Sequence, residues 1–151
     1  MNATESGAIV YLDASALVKC FVVEAGSAEV GLLIREARIV GTSLISRAEV
    51  VAAFAQVVRM KLLSRQEMIG VLQTFRMAWP RLLRLELTET VVARADTLAW
   101  EHELRGYDAV HLASALSWNE AIGEPVTLAT FDRELWQAGR AAGLVVWPGS
   151  I

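Results

Sequence analysis

The sequence predicts an α/β domain built on a mostly parallel sheet, and three observations carry that reading. Short apolar runs recur without polar alternation, as strands covered on both faces require. Segments with apolar residues at helical spacing lie between successive runs. No repeat, linker or low-complexity segment interrupts the alternation, so residues 1–151 read as one domain.

The elements follow in order. Ile9 to Leu12 is the first strand, and a helix-like pattern starts directly behind Asp13. Ser27 to Ala37 is predicted helical, with Ser27 as N-cap and Val30, Leu33 and Ile34 on one face. A second strand is expected at 38–41. Ser46 to Leu62 is a helix so apolar all round that it is expected to be largely buried. Ser64-Arg65-Gln66-Glu67 has the form of a capping box and opens a helix that stops at Pro80. Leu82 to Leu87 gives a third strand. Thr88 to Leu104 presents Val91, Val92, Ala95, Leu98 and Ala99 on one face and is expected to end at Gly106. Tyr107 to Ala121 and Asp132 to Ala142 are the last helices, each followed by a glycine, with strands at 126–130 and 144–147.

Composition narrows the class. With 151 residues, 54% hydrophobic and 21% charged, the chain is no disordered segment and can bury a real core. The apolar excess predicts surface covered by a partner, and hence an oligomer. Charged residues break every apolar stretch before the roughly 18–20 residues that cross a bilayer. MNATESGAIV lacks the regions of a signal peptide, so the expected location is cytoplasmic. Cys20, the single cysteine, reads as a buried structural thiol within LVKCFVV. The net charge of -3 does not suggest a polyanion binder, yet Arg47, Arg59, Lys61, Arg65, Arg76, Arg81 and Arg84 are opposed only by Glu49 and Glu67. This basic stretch either guides a polyanion or is an ordinary solvated helix surface.

Four carboxylates occupy unusual places. Asp13 ends the first apolar run, at the edge where open parallel sheets place their functional crevice. Glu49 sits one turn into a strongly apolar helix, where an ionised carboxylate needs a cationic partner or a metal, and nearby Arg47 points to another face. Asp108 opens a helix without charge for almost three turns, and Asp132 follows the strand VTLAT through Phe131. Asp13, Asp108 and Asp132 can each be read as helix caps. They can equally be members of an acidic cluster with Glu49, and such a cluster needs a divalent cation to hold it together.

The set YLDASALVK, SRAEV, GYDAVHLASA and TFDREL, in that order, resembles the PIN-domain family, and within it the VapC-type ribonuclease toxins of toxin–antitoxin pairs. The resemblance spans nearly the whole chain. It implies a three-layer PIN-like domain in which Asp13, Glu49, Asp108 and Asp132 are the catalytic, metal-binding quartet. Ser15 and Thr130 correspond to the hydroxyl residues that support it. It further implies a Mg²⁺- or Mn²⁺-dependent endoribonuclease that cleaves RNA phosphodiesters through a metal-activated water, a cognate antitoxin and a homodimer. Arg59, Lys61 and Arg65 are the candidate contacts to the RNA backbone. A catalytically silent PIN-fold binding module, or a PIN nuclease of RNA processing, is the alternative.

Other classes fit less well. A receiver-like module wants an adjacent acidic pair and a late lysine that do not occur here together, and an Asp-x-Asp phosphatase fails because Ala14 and Ser15 follow Asp13. His111, three residues after Asp108, invites a role as general base, but a buried histidine bonded to a neighbour is the preferred reading. His102 reads as a surface residue. Trp79, Trp100, Trp118, Trp136 and Trp147 are assigned to core or interface packing rather than to base stacking.

Overall fold

The computed structural model describes residues 6–151, so the first half of the amino-terminal stretch read for a signal peptide lies outside the described residues. Strands β1 (Ile9–Leu12), β2 (Ile39–Ser43), β3 (Leu83–Leu85), β4 (Val126–Ala129) and β5 (Val145–Trp147) form a 5-stranded sheet in the order β3-β2-β1-β4-β5. Every pairing is parallel. The chain lays β2 and β3 on one side of β1, then crosses to place β4 and β5 on the other. Such a reversal opens a crevice beyond the carboxyl ends of the two central strands. Asp13 follows β1 and Thr130 follows β4, so the topology delivers both to that crevice.

The three layers follow from β1 itself. Its residues are no more than 2% exposed and point alternately to opposite faces. Ile9 and Tyr11 pack with α5 (Glu89–His102), α6 (Gly106–Ile122) and α7 (Arg133–Ala141) through Leu98, Leu112, Leu116 and Leu135. Val10 and Leu12 pack with α1 (Ala14–Val18), α3 (Ser46–Arg59) and α4 (Arg65–Ala78) through Leu17, Val50, Phe54 and Phe75. Each fully buried Val, Leu or Ile contributes about 1.5–3 kcal/mol, so β1 anchors both cores. Gly41 in β2 lies against α6, where an added Cβ would stand 2.8 Å from Cη2 of Trp118. The helix α2 (Ser27–Glu36) packs Leu33 and Ile34 against the second core.

Several local expectations are corrected. Gly26, with φ of 92°, is the N-cap of α2, and Ser27 is the first helical residue; its hydroxyl accepts from the Glu24 amide and donates to the Val22 carbonyl. α3 stops at Arg59 and buries only Ser46, Val50 and Phe54 on one stripe. Its Ala and Val content had suggested burial all round, but small residues such as Ala52 and Ala55 are tolerated facing outward. Gly106 opens α6 instead of closing α5, whose C-cap is Glu103 with φ of 54°. Cys20 is exposed just past α1, although its surroundings still push the thiol up to about 11. Trp79, Trp118 and Trp136 are buried, whereas Trp100 is 86% exposed and belongs to no core. The capping box at Ser64 and Glu67 forms as expected. No described helix is long and apolar enough to cross a membrane.

Candidate active site

Asp13 caps α1: its Oδ1 accepts from the Ala16 amide at 2.9 Å. The residue is only 3% exposed, and a buried carboxylate must be fully hydrogen-bonded to be tolerated. Ser15 Oγ lies 2.7 Å from Oδ1 and 2.9 Å from Oδ2, and Thr130 Oγ1 donates to Oδ2 at 2.6 Å. Burial pushes the Asp13 carboxyl above its ordinary range, opposed by His111 and by the hydrogen bonds from Thr130, Ala16 and Ser15.

Thr130 works in two directions. While donating to Asp13 it accepts from the Asp132 amide at 3.0 Å, and the Phe131 amide donates to Ser15 Oγ at the same distance. One hydroxyl thereby ties the end of β1 to the end of β4, across a sequence separation of 117. Asp132 caps α7 through Oδ1, which accepts from the Leu135 amide at 2.9 Å, and keeps Oδ2 for another partner.

That partner is Arg105. Its Nη2 donates to Asp132 Oδ2 at 2.7 Å and its Nε to Asp108 Oδ2 at 3.2 Å, so one guanidinium bridges the two carboxylates. Asp108 itself makes no cap bond. Burial raises its carboxyl above the ordinary range, as do the charges of Asp132 and Asp13, while Arg105 holds it down. The Arg105 side chain is 73% exposed, lying over the pair rather than beneath it. Sequence reasoning missed Arg105. The available signal was a basic residue three positions before Asp108, at what proves to be the N-cap of α6.

Glu49 stands apart from this bridge but shares a cavity of about 490 Å³ with Arg105, Gly106, Tyr107 and Asp108. It is not deeply buried, as had been expected, but 19% exposed, and its partner is an imidazole: His111 Nε2 lies 2.6 Å from Oε1. His111, 1% exposed, is in turn bonded through Nδ1 to the hydroxyl of Tyr11 at 2.7 Å. Arg47 turns away, as expected, over the ring of Trp79. Arg59, Lys61 and Arg65 lie at the α3–α4 turn, roughly 15 Å along α3 from Glu49 at 1.5 Å per residue. All three are exposed, and among the described residues none is in a salt bridge.

The structure thus makes Asp13 and Asp132 helix caps and members of an acidic edge at once. All donors at this edge are carboxylate oxygens, the chemistry of a hard cation. Among the described residues no group of three or more His, Cys, Asp or Glu stands placed to hold a metal ion together. An ion of the Mg²⁺ type, which keeps most of its waters and takes one or two carboxylates, fits so open a donor set.

The class defined here is a three-layer parallel α/β domain with carboxylates at its switch point. Residues 10–141 match the PIN domain, and the chain belongs to that family. Its likeness within the family is to VapC proteins. It is 38% identical over 144 residues to ribonuclease VapC45 and, to the same extent, to ribonuclease VapC49, both of Mycobacterium tuberculosis; the match covers 95% of this chain and 97% of each relative. Solved structures agree in fold. PAE2754 from Pyrobaculum aerophilum superposes with a TM-score of 0.64 at 22% identity, covering 96% of this chain and 90% of that one. A chain of a toxin–antitoxin complex from Klebsiella pneumoniae gives 0.62 at 19% identity, covering 94% and 99%.

Proposed function

We propose that the protein is a divalent-metal-dependent endoribonuclease, the toxin of a type II toxin–antitoxin pair, folded as a single PIN-like domain over residues 1–151. The observation that carries this reading is Asp13. A carboxylate is held 3% exposed at the switch point, beside Asp108 and Asp132 already bridged by a cationic group. Relatives named ribonuclease, 38% identical over 95% of the chain, support the activity. The intact quartet speaks against a silent binding module.

Asp13 and Asp108 would be the principal holders of Mg²⁺ or Mn²⁺, with Glu49 and Asp132 completing the set directly or through water. Bound there, the cation would supply charge neutralisation at the scissile phosphate and activation of the attacking water. Water adds to phosphorus, one ester P–O bond breaks, and the proton ends on the leaving oxygen. The chain's own part is positional. Ser15 and Thr130 hold Asp13 in one rotamer, and Arg105 keeps Asp108 and Asp132 together and is exposed enough to meet an incoming phosphate. Arg59, Lys61 and Arg65 would take the RNA backbone further along. A cognate antitoxin, a homodimer that covers surface apolar residues such as Trp100, and a cytoplasmic location belong to the same proposal.

The test is a Mn²⁺ titration of antitoxin-free protein, followed by electron paramagnetic resonance beside an Asp13→Asn/Asp108→Asn double variant. Saturable binding that vanishes in the folded double variant is expected. Equal binding by both proteins would reduce Asp13 to a helix cap and Asp108 to an ion-pair partner of Arg105.

A further inference from the structure

His111 can be assigned more than a place in the core. Both of its ring nitrogens are committed, Nδ1 to the Tyr11 hydroxyl at 2.7 Å and Nε2 to Glu49 Oε1 at 2.6 Å. The rings of Tyr11 and His111 meet edge to face, with centroids 5.8 Å apart. Tyr11 is 0% and His111 1% exposed, so neither reaches solvent or any substrate, and Glu49 is the one member of the chain that opens to the cavity shared with Asp108.

For a neutral ring the direction of the hydrogen bonds follows from donor and acceptor counts. A carboxylate only accepts, so the proton between His111 and Glu49 is carried on Nε2. The Tyr11 phenol, which burial holds protonated well above the ordinary range, then offers its proton to Nδ1 of the neutral ring. The Ser43 backbone and the Ser114 hydroxyl also lie near the Tyr11 oxygen, although Ser114 Oγ completes no hydrogen bond of normal geometry.

We propose that Tyr11 and His111 form a one-way hydrogen-bond chain that fixes the Nε2–H tautomer and thereby orients Glu49 at the acidic edge. His111 is then a positioning residue and not a general base. The arrangement inverts the familiar case in which a carboxylate orients a metal-bound histidine: here a histidine orients a carboxylate. The proposal rests on the metal-dependent reading for the purpose of Glu49, but the tautomer itself does not depend on a metal.

The experiment uses the full chain with ¹⁵N-labelled histidine, which contains only two histidines, His102 and His111. In the metal-free wild type, the long-range proton–nitrogen correlation pattern of His111 is expected to be that of the Nε2–H tautomer. Tyr11→Phe is expected to move it toward a mixture and to weaken Mn²⁺ binding on the order of tenfold. His111→Gln, whose amide can still donate to Glu49, should retain more Mn²⁺ affinity than His111→Ala. An Nδ1–H or imidazolium pattern in the wild type overturns the chain whether or not the variants fold. A wild type with the Nε2–H pattern that binds no Mn²⁺ overturns the metal-dependent reading, and with it the role given to Glu49. Equal Mn²⁺ affinity in wild type and Tyr11→Phe overturns the positioning role alone.

Discussion

Thr130→Val removes one hydroxyl and changes almost nothing in shape. In the native protein that hydroxyl, 0% exposed, donates to Asp13 Oδ2 at 2.6 Å and accepts from the Asp132 amide at 3.0 Å. A hydrogen bond to a charged group contributes about 1.5–3 kcal/mol, and a buried amide left without an acceptor costs about 1–3 kcal/mol more. Two features pull the sum down: Ser15 Oγ still reaches Oδ2 at 2.9 Å, and Asp132 is only partly buried. The expected loss is therefore about 2–3 kcal/mol, read as a lower urea midpoint at unchanged slope. Thr130→Ser keeps the hydroxyl and is expected to lose about 1 kcal/mol, from the missing methyl alone. The same pair separates stability from site geometry. Mn²⁺ at a hundred times its dissociation constant stabilises a binding protein by about 2.7 kcal/mol, and that increment should shrink in Thr130→Val but persist in Thr130→Ser. A Thr130→Val variant within about 0.5 kcal/mol of wild type, with its metal increment intact, would refute the tie between the two strand ends.

Further outcomes follow from the same geometry. Burial raises the Asp13 and Asp108 carboxyls in the folded state, so between their unfolded and folded pKa values the native protein binds more protons than the unfolded chain. Stability of the metal-free protein must then fall as pH rises through that window; melting temperatures across a pH series should show it, with a shallower slope in Asp13→Asn. Arg105→Gln removes the cation that bridges Asp108 and Asp132, and Mn²⁺ affinity measured calorimetrically is expected to rise on the order of tenfold, since metal no longer competes with a guanidinium. Replacing Arg59 and Arg65 together by alanine should lower the salt slope of RNA binding by about 1.4, at about 0.7 per single-strand phosphate contact. An unchanged slope would show that both side chains are merely solvated.

Local chemistry was legible in the sequence where a residue answers to its immediate neighbours. Asp13 and Asp132 follow apolar runs and cap the helices behind them, Ser15 and Thr130 stand two positions from those carboxylates, and the Ser64 capping box closes within four residues. The strands also came through, because runs buried on both faces leave a continuous apolar signature. What escaped depends on distant partners or on the direction a side chain takes. Glu49 was read as needing a cation or metal, and its actual partner lies 62 residues away. Arg105 was overlooked because its bridge spans 27 residues to Asp132. The outward face of α3 was overestimated as core, since Ala and Val do not declare which way they point. Cys20 lies in an apolar run and still emerges at the surface because α1 ends before it.

The order in which the carboxylates enter the chain bears on how the protein is made. Asp13 and Glu49 leave the ribosome early, Asp108 much later, and Asp132 only after β4 has been synthesised. Until β4 slots beside β1, Thr130 cannot reach Asp13, and the buried carboxylate lacks the donor contributed by the far end of the chain. A nascent or truncated polypeptide that stops before β4 therefore carries three scattered acids, Asp13, Glu49 and Asp108, and neither Thr130 nor Asp132. Closing so distant a contact is slow compared with forming helices. Synthesis thus imposes an interval in which the acidic edge beyond β1 and β4 is not yet assembled.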